Sequence, residues 1–278
     1  MDTVRFVARA AAERRSRAAA AAAGTEDAAP RDNGRVPPTP PGAAASGSAP
    51  VHDPASLYAE LVESMPTTRG KTLSEGERTT RGINRRGTAL TYGEIRFDPF
   101  ARALGRIKTE FGGLRTDGGV FYDLGSGTGK AVFAAALIHR FERCVGIEVL
   151  ESLHGAALEL QQRWDESIEP RLRYAGARES NGSDVEAERR AAIEFICGDI
   201  ADPRVCDWSD ATLCFANSTC SPMALMRDLA SAAERCAIGT WFVTFTKELP
   251  SAHYVTRSAS RHKMSWGAAT VFVQEKIT

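Results

Sequence analysis

The chain reads as an α/β protein, a mostly parallel sheet with helices on both faces and an antiparallel strand pair at its end. Three observations predict this. Short β-branched and aromatic runs recur at 120–124, 143–148, 193–197, 211–217 and 240–246. Helix-like stretches at 130–140, 152–164 and 222–236 alternate with them, the pattern that builds parallel sheets covered on both faces. The last two extended segments, 253–258 and 270–276, fit an antiparallel pair.

In chain order, residues 1–54 are dominated by Ala, Pro, Gly and Ser, with an alanine tract at 18–23 and the linker PPTPPG at 37–42. That composition predicts a disordered tail. Its first seventeen residues carry Arg5, Arg9, Arg14, Arg15 and Arg17 against Asp2 and Glu13, so an organelle-targeting peptide is the alternative. Residues 55–91 read as a short amphipathic helix stopped by Pro66, then a basic linker. The linker holds Arg69, Lys71, Arg78, Arg81, Arg85 and Arg86 against Glu75 and Glu77. A solvated loop is expected there, with an anionic partner as the functional alternative. From 92 to 278 the pattern is that of one catalytic-sized domain, opening with a helix at 98–111. On the helix at 152–164, Leu153, Ala157, Leu160 and Trp164 share one side. Residues 166–190 are polar and read as an insertion.

Whole-chain properties exclude several classes. Lys and Arg total 35 and so do Asp and Glu, so no global basic field points to free nucleic acid. No apolar run approaches membrane-spanning length. The six cysteines form no Cys-x-x-Cys pair and the five histidines are scattered. They read as buried thiols in a reducing compartment, with no metal site.

The chemistry is concentrated in VFYDLGSGTGK at 120–130 and VGIE at 145–148. This is a strand, a Gly-rich turn, the start of a helix, and a second strand ending in an acid. Gly125, Gly127 and Gly129 permit positive φ and let a ligand reach the backbone. A dinucleotide turn requires Gly-x-Gly-x-x-Gly, but here the third glycine comes one position early. Asp123 also lies where a phosphate would sit. A carboxylate repels a phosphate and suits a ligand with a sulfonium and an ammonium group. The ligand favoured is S-adenosylmethionine, with Glu148 where such folds place the acid that holds ribose hydroxyls.

Ligands of open α/β sheets lie across the carboxyl ends of the strands. Asp199, after the third strand, is therefore either an acceptor for the adenine amino group or a turn aspartate. Asn217 ends the fourth strand, where the reactive methyl meets its acceptor. Methyl transfer is an in-line displacement that needs aligned reactants and a neutral nucleophile. Phe97, Phe245 and Trp266 are the aromatic residues considered for the site, and only Trp266 is carried forward.

Three separated segments resemble the disruptor-of-telomeric-silencing family, non-SET lysine methyltransferases of the histone H3 globular core. They are LTYGEIRFDPFARAL at 90–104, DLGSGTGK with VGIE, and KMSWGAATVFVQ at 263–274. The resemblance implies a class I methyltransferase, Rossmann-like fold. It places Tyr92, Gly93 and Glu94 in a loop over the methionine part of the cofactor, and Asp123, Gly125 and Gly127 in its binding turn. It implies ribose at Glu148, adenine at Asp199, the lysine channel's mouth at Asn217 and an aromatic channel wall at Trp266. Asn217, Trp266 and Tyr92 are the implied catalytic set.

The chain also departs from the family. Lys130 stands where glutamine is usual, and either reaches the cofactor carboxylate or is solvated. Ser218 and Thr219 follow Asn217 in place of Asn-Phe, Ile95 replaces a threonine, and most of the helical region before Tyr92 is absent or unrecognisable. The expectation is a monomeric, nuclear S-adenosylmethionine-dependent histone H3 lysine N-methyltransferase. Its nucleosome contacts, including those to nucleosomal DNA, would come from the basic segments running from Arg69 to Arg86 and from Arg257 to Lys263. The alternatives are a class I methyltransferase acting on a non-histone protein or a small molecule, or an inactive chromatin-binding module.

Overall fold

The sheet has seven strands in the order β3-β2-β1-β4-β5-β7-β6. They are β1 (Val120–Leu124), β2 (Arg143–Glu148), β3 (Ala192–Cys197), β4 (Leu213–Ala216), β5 (Trp241–Phe245), β6 (Tyr254–Met264) and β7 (Gly267–Lys276). The first five pair in parallel, and β7 runs antiparallel between β5 and β6. The computed structural model describes residues 53–82, 92–172, 191–264 and 267–278. The tail with its arginines, the turn in 173–190, and Trp266 lie outside them.

The chain winds outward through β1, β2 and β3, then returns to place β4 on the other side of β1. The reversal between β1 and β4 opens a crevice at the carboxyl ends of these strands. β1 alternates: Phe121 faces one layer, Val120, Tyr122 and Leu124 the other. On the first face Phe100 of α3 (Phe97–Thr109) packs edge-on against Phe121 and Phe215, with centroids 6.0 and 5.2 Å away. On the second, Met226, Leu229, Ala230 and Ala233 of α6 (Met223–Ala233) pack with Trp208 and Tyr122. These layers hold the crevice edges rigid.

Two further helices precede the domain expected from 92 onward. In α1 (Pro54–Val62), the Asp53 carboxylate caps Ser56 N at 3.0 Å and proline occupies the first helical position. Leu57 and Leu61 of α1 bury against Phe133, Leu160 and Trp164. Residues 67–80, expected as a solvated loop, form α2 (Thr67–Thr80). Its buried positions are Gly70, Ser74 and Arg78, a stripe at helical spacing made of small and polar groups, so no apolar periodicity announced it. Two helices, α1 and α2, thus precede Tyr92 and pack on the domain.

α5 (Glu151–Arg163) has no side-chain cap of its own. Glu77 of α2 supplies one, accepting from Glu151 N at 3.0 Å and Ser152 N at 2.7 Å. A carboxylate at a helix N-terminus satisfies free N–H groups and suits the macrodipole. Trp164 continues α5 into a π-turn, Trp164–Ile168, and is buried as expected.

The terminal hairpin is longer than the two short segments expected, because β6 and β7 pair from Tyr254↔Lys276 to Met264↔Gly267. Cys197 and Cys220 are exposed, which corrects the reading of all six as buried thiols. Among the described residues no helix is long and apolar enough to cross a membrane. Phe100→Ala, which removes the aromatic bridge between α3 and the sheet, is expected to cost about 3–5 kcal/mol in urea unfolding.

Candidate functional site

At the carboxyl ends of β1, β2 and β4 lies a cavity of about 380 Å³, a size suited to a nucleoside-bearing cofactor. Four acids line it, Glu94, Asp123, Glu148 and Asp199, with one cation, Lys130. The structure thus gathers the sequence-predicted residues Tyr92, Gly93, Glu94, Asp123, Gly125, Gly127, Lys130, Glu148, Asp199 and Asn217 around one space.

Asp123, near the end of β1, is 3% exposed, and its carboxylate has no hydrogen-bond partner among the described residues. Burial, and then the neighbouring charge of Glu148, push its pKa well above the usual 3.8. Glu148 ends β2 and is differently placed. Its Oε2 accepts from Gly127 N at 2.8 Å and its Oε1 from Leu150 N at 2.9 Å. Burial raises its pKa, and these backbone donors pull it back down. Each carboxylate oxygen keeps a lone pair that can face the cavity. Ser126 Oγ is buried with no partner among the described residues.

Tyr92 closes one side of this cavity. Its ring sits in a slot left by two glycines: a Cβ on Gly127, at φ +55°, would lie 2.8 Å from Tyr92 Cε2, and one on Gly70 would overlap the ring's other edge. A mid-helix glycine such as Gly70 lowers helix stability, so the close approach is what accounts for it. The Tyr92 hydroxyl donates to Glu94 and contacts Thr128 Oγ1 at 2.9 Å. Thr67 Oγ1 also donates to Glu94, and Lys130 Nζ lies 2.6 Å from it. Lys130 is therefore not solvated, which corrects that alternative: its charge is paired with Glu94.

Asn217 holds the same segment from the β4 side. Its Nδ2 donates to Gly93 O at 2.9 Å, and its Oδ1 accepts from Thr219 Oγ1 at 2.9 Å. Asp199 is exposed at the cavity edge, and its Oδ1 accepts from Ala201 N at 2.9 Å. The turn geometry and the position beside the cavity therefore hold together. Phe245 is a core residue packed against Phe215, and the half-buried Phe97 packs against Tyr58 at the core's edge. Sequence reasoning missed Thr67, Gly70, Ser126 and Thr128. The spacing of Gly70, Ser74 and Arg78 was the one available signal for the first two.

A second cavity of about 330 Å³ shares Tyr92, Gly93, Glu94 and Asn217 with the first. Thr67, Lys71, Glu75 and Arg78 of α2 and Thr219 and Cys220 after β4 complete it. Thr219 stands in place of the phenylalanine usual in the family the chain resembles, and among the described residues Tyr92 is the cavity's aromatic lining.

The sequence pattern of the family described as "Histone methylation protein DOT1" matches residues 83–265, well over half of the chain. The chain belongs to this family. No curated protein matches. Solved structures overlap it in part. The tRNA methyltransferase TrmK from B. subtilis is 12% identical with a TM-score of 0.42, covering 65% of each chain. TrmN from Thermus thermophilus is 18% identical with a TM-score of 0.44, covering 66% of this chain and 52% of that one. M. capricolum TrmK, solved with S-adenosyl-homocysteine, is 7% identical with a TM-score of 0.42, covering 63% of this chain and 67% of that one. The chain thus spans less than two thirds of the first two.

Family and sheet topology give the chain the class I, Rossmann-like methyltransferase fold, whose cofactor is S-adenosylmethionine. The residues present fit that ligand. An unpartnered buried carboxylate faces the cavity, a surplus of acids suits a molecule of net positive charge, and a Cβ on Gly125 would meet nothing within 4 Å, leaving room above the turn. Among the described residues no cluster of three His, Cys, Asp or Glu side chains suits a metal ion.

Two predictions follow from the acids. Glu148→Ala is expected to weaken S-adenosylhomocysteine binding by about 1–3 kcal/mol in calorimetry, through lost charge-assisted hydrogen bonds. Asp123 holds its proton more tightly folded than unfolded, so without ligand it lowers stability as pH rises from 3.8 through its folded pKa. Asp123→Asn is therefore expected to raise the melting temperature at neutral pH while weakening ligand binding, with the gain vanishing below pH 3.8. A melting temperature unchanged at neutral pH contradicts this account.

Proposed function

We propose that this chain methylates lysine side chains, with histone H3 in the nucleosome as its target and the nucleus as its site of action. The observation that carries the reading is the pair of cavities meeting at Tyr92, Gly93, Glu94 and Asn217. One takes the cofactor and the other the acceptor amine, and the family's link to histone methylation names the acceptor.

Bound S-adenosylmethionine supplies an electrophilic methyl group on a positively charged sulfur. The chain's own residues do the rest. Asp123, with Gly125 and Gly127 leaving the backbone open, takes the cationic end; Glu148 takes the ribose and Asp199 the adenine edge. Asn217, held by Gly93 O and Thr219, offers its remaining Oδ1 lone pair to an amine N–H at the junction of the cavities. Tyr92 walls the junction and excludes water, which favours the neutral amine that the displacement requires. Trp266, outside the described residues, is the proposed aromatic wall. No strong general base is needed once the amine is deprotonated, so the protein's contribution is alignment.

Within the two basic segments several cations are engaged in the fold, while Lys71 is exposed and Arg85 and Arg86 lie outside the described residues. Arg69 pairs with Glu159, Arg81 with Glu77 and Glu151, and Arg78 is buried on Ser74 O. Arg257 pairs with Glu275. Arg261 and Lys263 are exposed on β6, at the sheet edge, with no side-chain hydrogen bond or ion pair to the described residues. They are the proposed contacts to DNA phosphate, for a chain acting as a monomer.

The test is methyl transfer to nucleosomes, free histones and cell extract, with mass-spectrometric site mapping. Labelling of an H3 lysine is expected, with Asn217→Ala slowing it about 100-fold through lost alignment. Labelling confined to non-histone protein or small molecules overturns the histone reading. Failure to bind S-adenosylhomocysteine indicates an inactive chromatin-binding module.

A further inference from the structure

Lys130 is the first residue of α4 (Lys130–Ile138), whose cap residue Gly129 offers no side chain. The positive end of the helix macrodipole disfavours a cation at that position, and burial disfavours it again, lowering its pKa. A lysine kept where two effects oppose it needs a partner that outweighs both. Glu94 is that partner, 2.6 Å away, and the two side chains are 8% and 9% exposed.

Glu94 is a hub. It accepts from Thr67 at the start of α2, from Tyr92 in its own segment and from Lys130 at the start of α4. Three parts of the chain far apart in sequence therefore meet on one carboxylate. Asp123 and Glu148 line the same cavity and are themselves pushed toward protonation. Without a cation Glu94 would be a further uncompensated acid, and the easiest relief would be for the segment carrying it to swing out to water. Among the described residues Lys130 is the one cation lining the cofactor cavity.

We propose that Lys130 is a positioning residue: by neutralising Glu94 it holds the Tyr92–Gly93–Glu94 segment across the junction between the cofactor and acceptor cavities. It acts through Glu94, and its loss opens that junction without requiring that it touch the cofactor.

The test is a double-mutant cycle on the full chain, with Lys130→Met, Glu94→Gln and both together. S-adenosylhomocysteine affinity is read by calorimetry, and hydrogen exchange at the amides of 93–95 by mass spectrometry. Lys130→Met is expected to bind about 10- to 100-fold more weakly, with faster exchange confined to that segment, because it strands a buried charge. The double variant is expected to bind at least about fivefold more tightly than Lys130→Met, since a neutral amide keeps its bonds to Thr67 and Tyr92 with no charge to strand. Unchanged binding in Lys130→Met overturns the proposal. So does a double variant no better than the single one, which would place Lys130 directly on the ligand. If Lys130→Met does not fold, the double variant decides alone through exchange: amides of 93–95 protected as in wild type support the proposal, and faster exchange there overturns it. None of these readouts depends on the histone acceptor, so the two readings fail separately.

Discussion

The carboxylate of Glu148 accepts one backbone N–H from the Gly-rich turn after β1 and another from the start of α5. Three pieces of main chain are thereby tied at one point: the end of β2, the turn that lines the cavity, and the helix that follows. A turn rich in glycine has many conformations open to it, and an anchored N–H removes most of them. Glu77 completes the arrangement from α2 by capping the next two amides of α5. The shape of the cofactor cavity depends on this pair of acids before any ligand arrives.

The same cavity carries a charge imbalance that the fold alone does not want. Four acids face one lysine, and Asp123, deeply buried, has no partner among the described residues. Unpaired buried carboxylates lower stability, and such strain persists where a ligand relieves it. On the proposed reading a cationic methyl donor supplies the missing charge, so stability and binding trade against each other at Asp123. The ion pair of Lys130 and Glu94 shows the other solution, in which the protein supplies the counter-charge itself.

How much of this was legible varied with the kind of signal. The strands from β1 to β5 and the Gly-rich turn are written in contiguous apolar runs and spaced glycines, and they lie where expected to within a few residues. Asp123, Glu148 and Asn217 were found from strand ends, because a doubly wound sheet brings those ends to one crevice. α2 was not legible as a helix. Its buried stripe of Gly70, Ser74 and Arg78 contains no hydrophobic side chain, so hydropathy marked it as solvated. Its role is to accept the ring of Tyr92 against Gly70, a contact that no local pattern encodes.

Along the chain, composition and spacing were sufficient for the fold class, the turn and the charge of the ligand, because each signal sits within one strand, one turn or one helix. Which groups pair was settled by folding. Lys130 and Glu94 are separated by 36 positions, and Asn217 and Gly93 by 124. Read in isolation, Lys130 was an ordinary surface cation or a ligand contact. Packing of α2, the Tyr92 segment and α4 around one crevice excluded water from it, and in that setting a lysine keeps its charge by finding an acid.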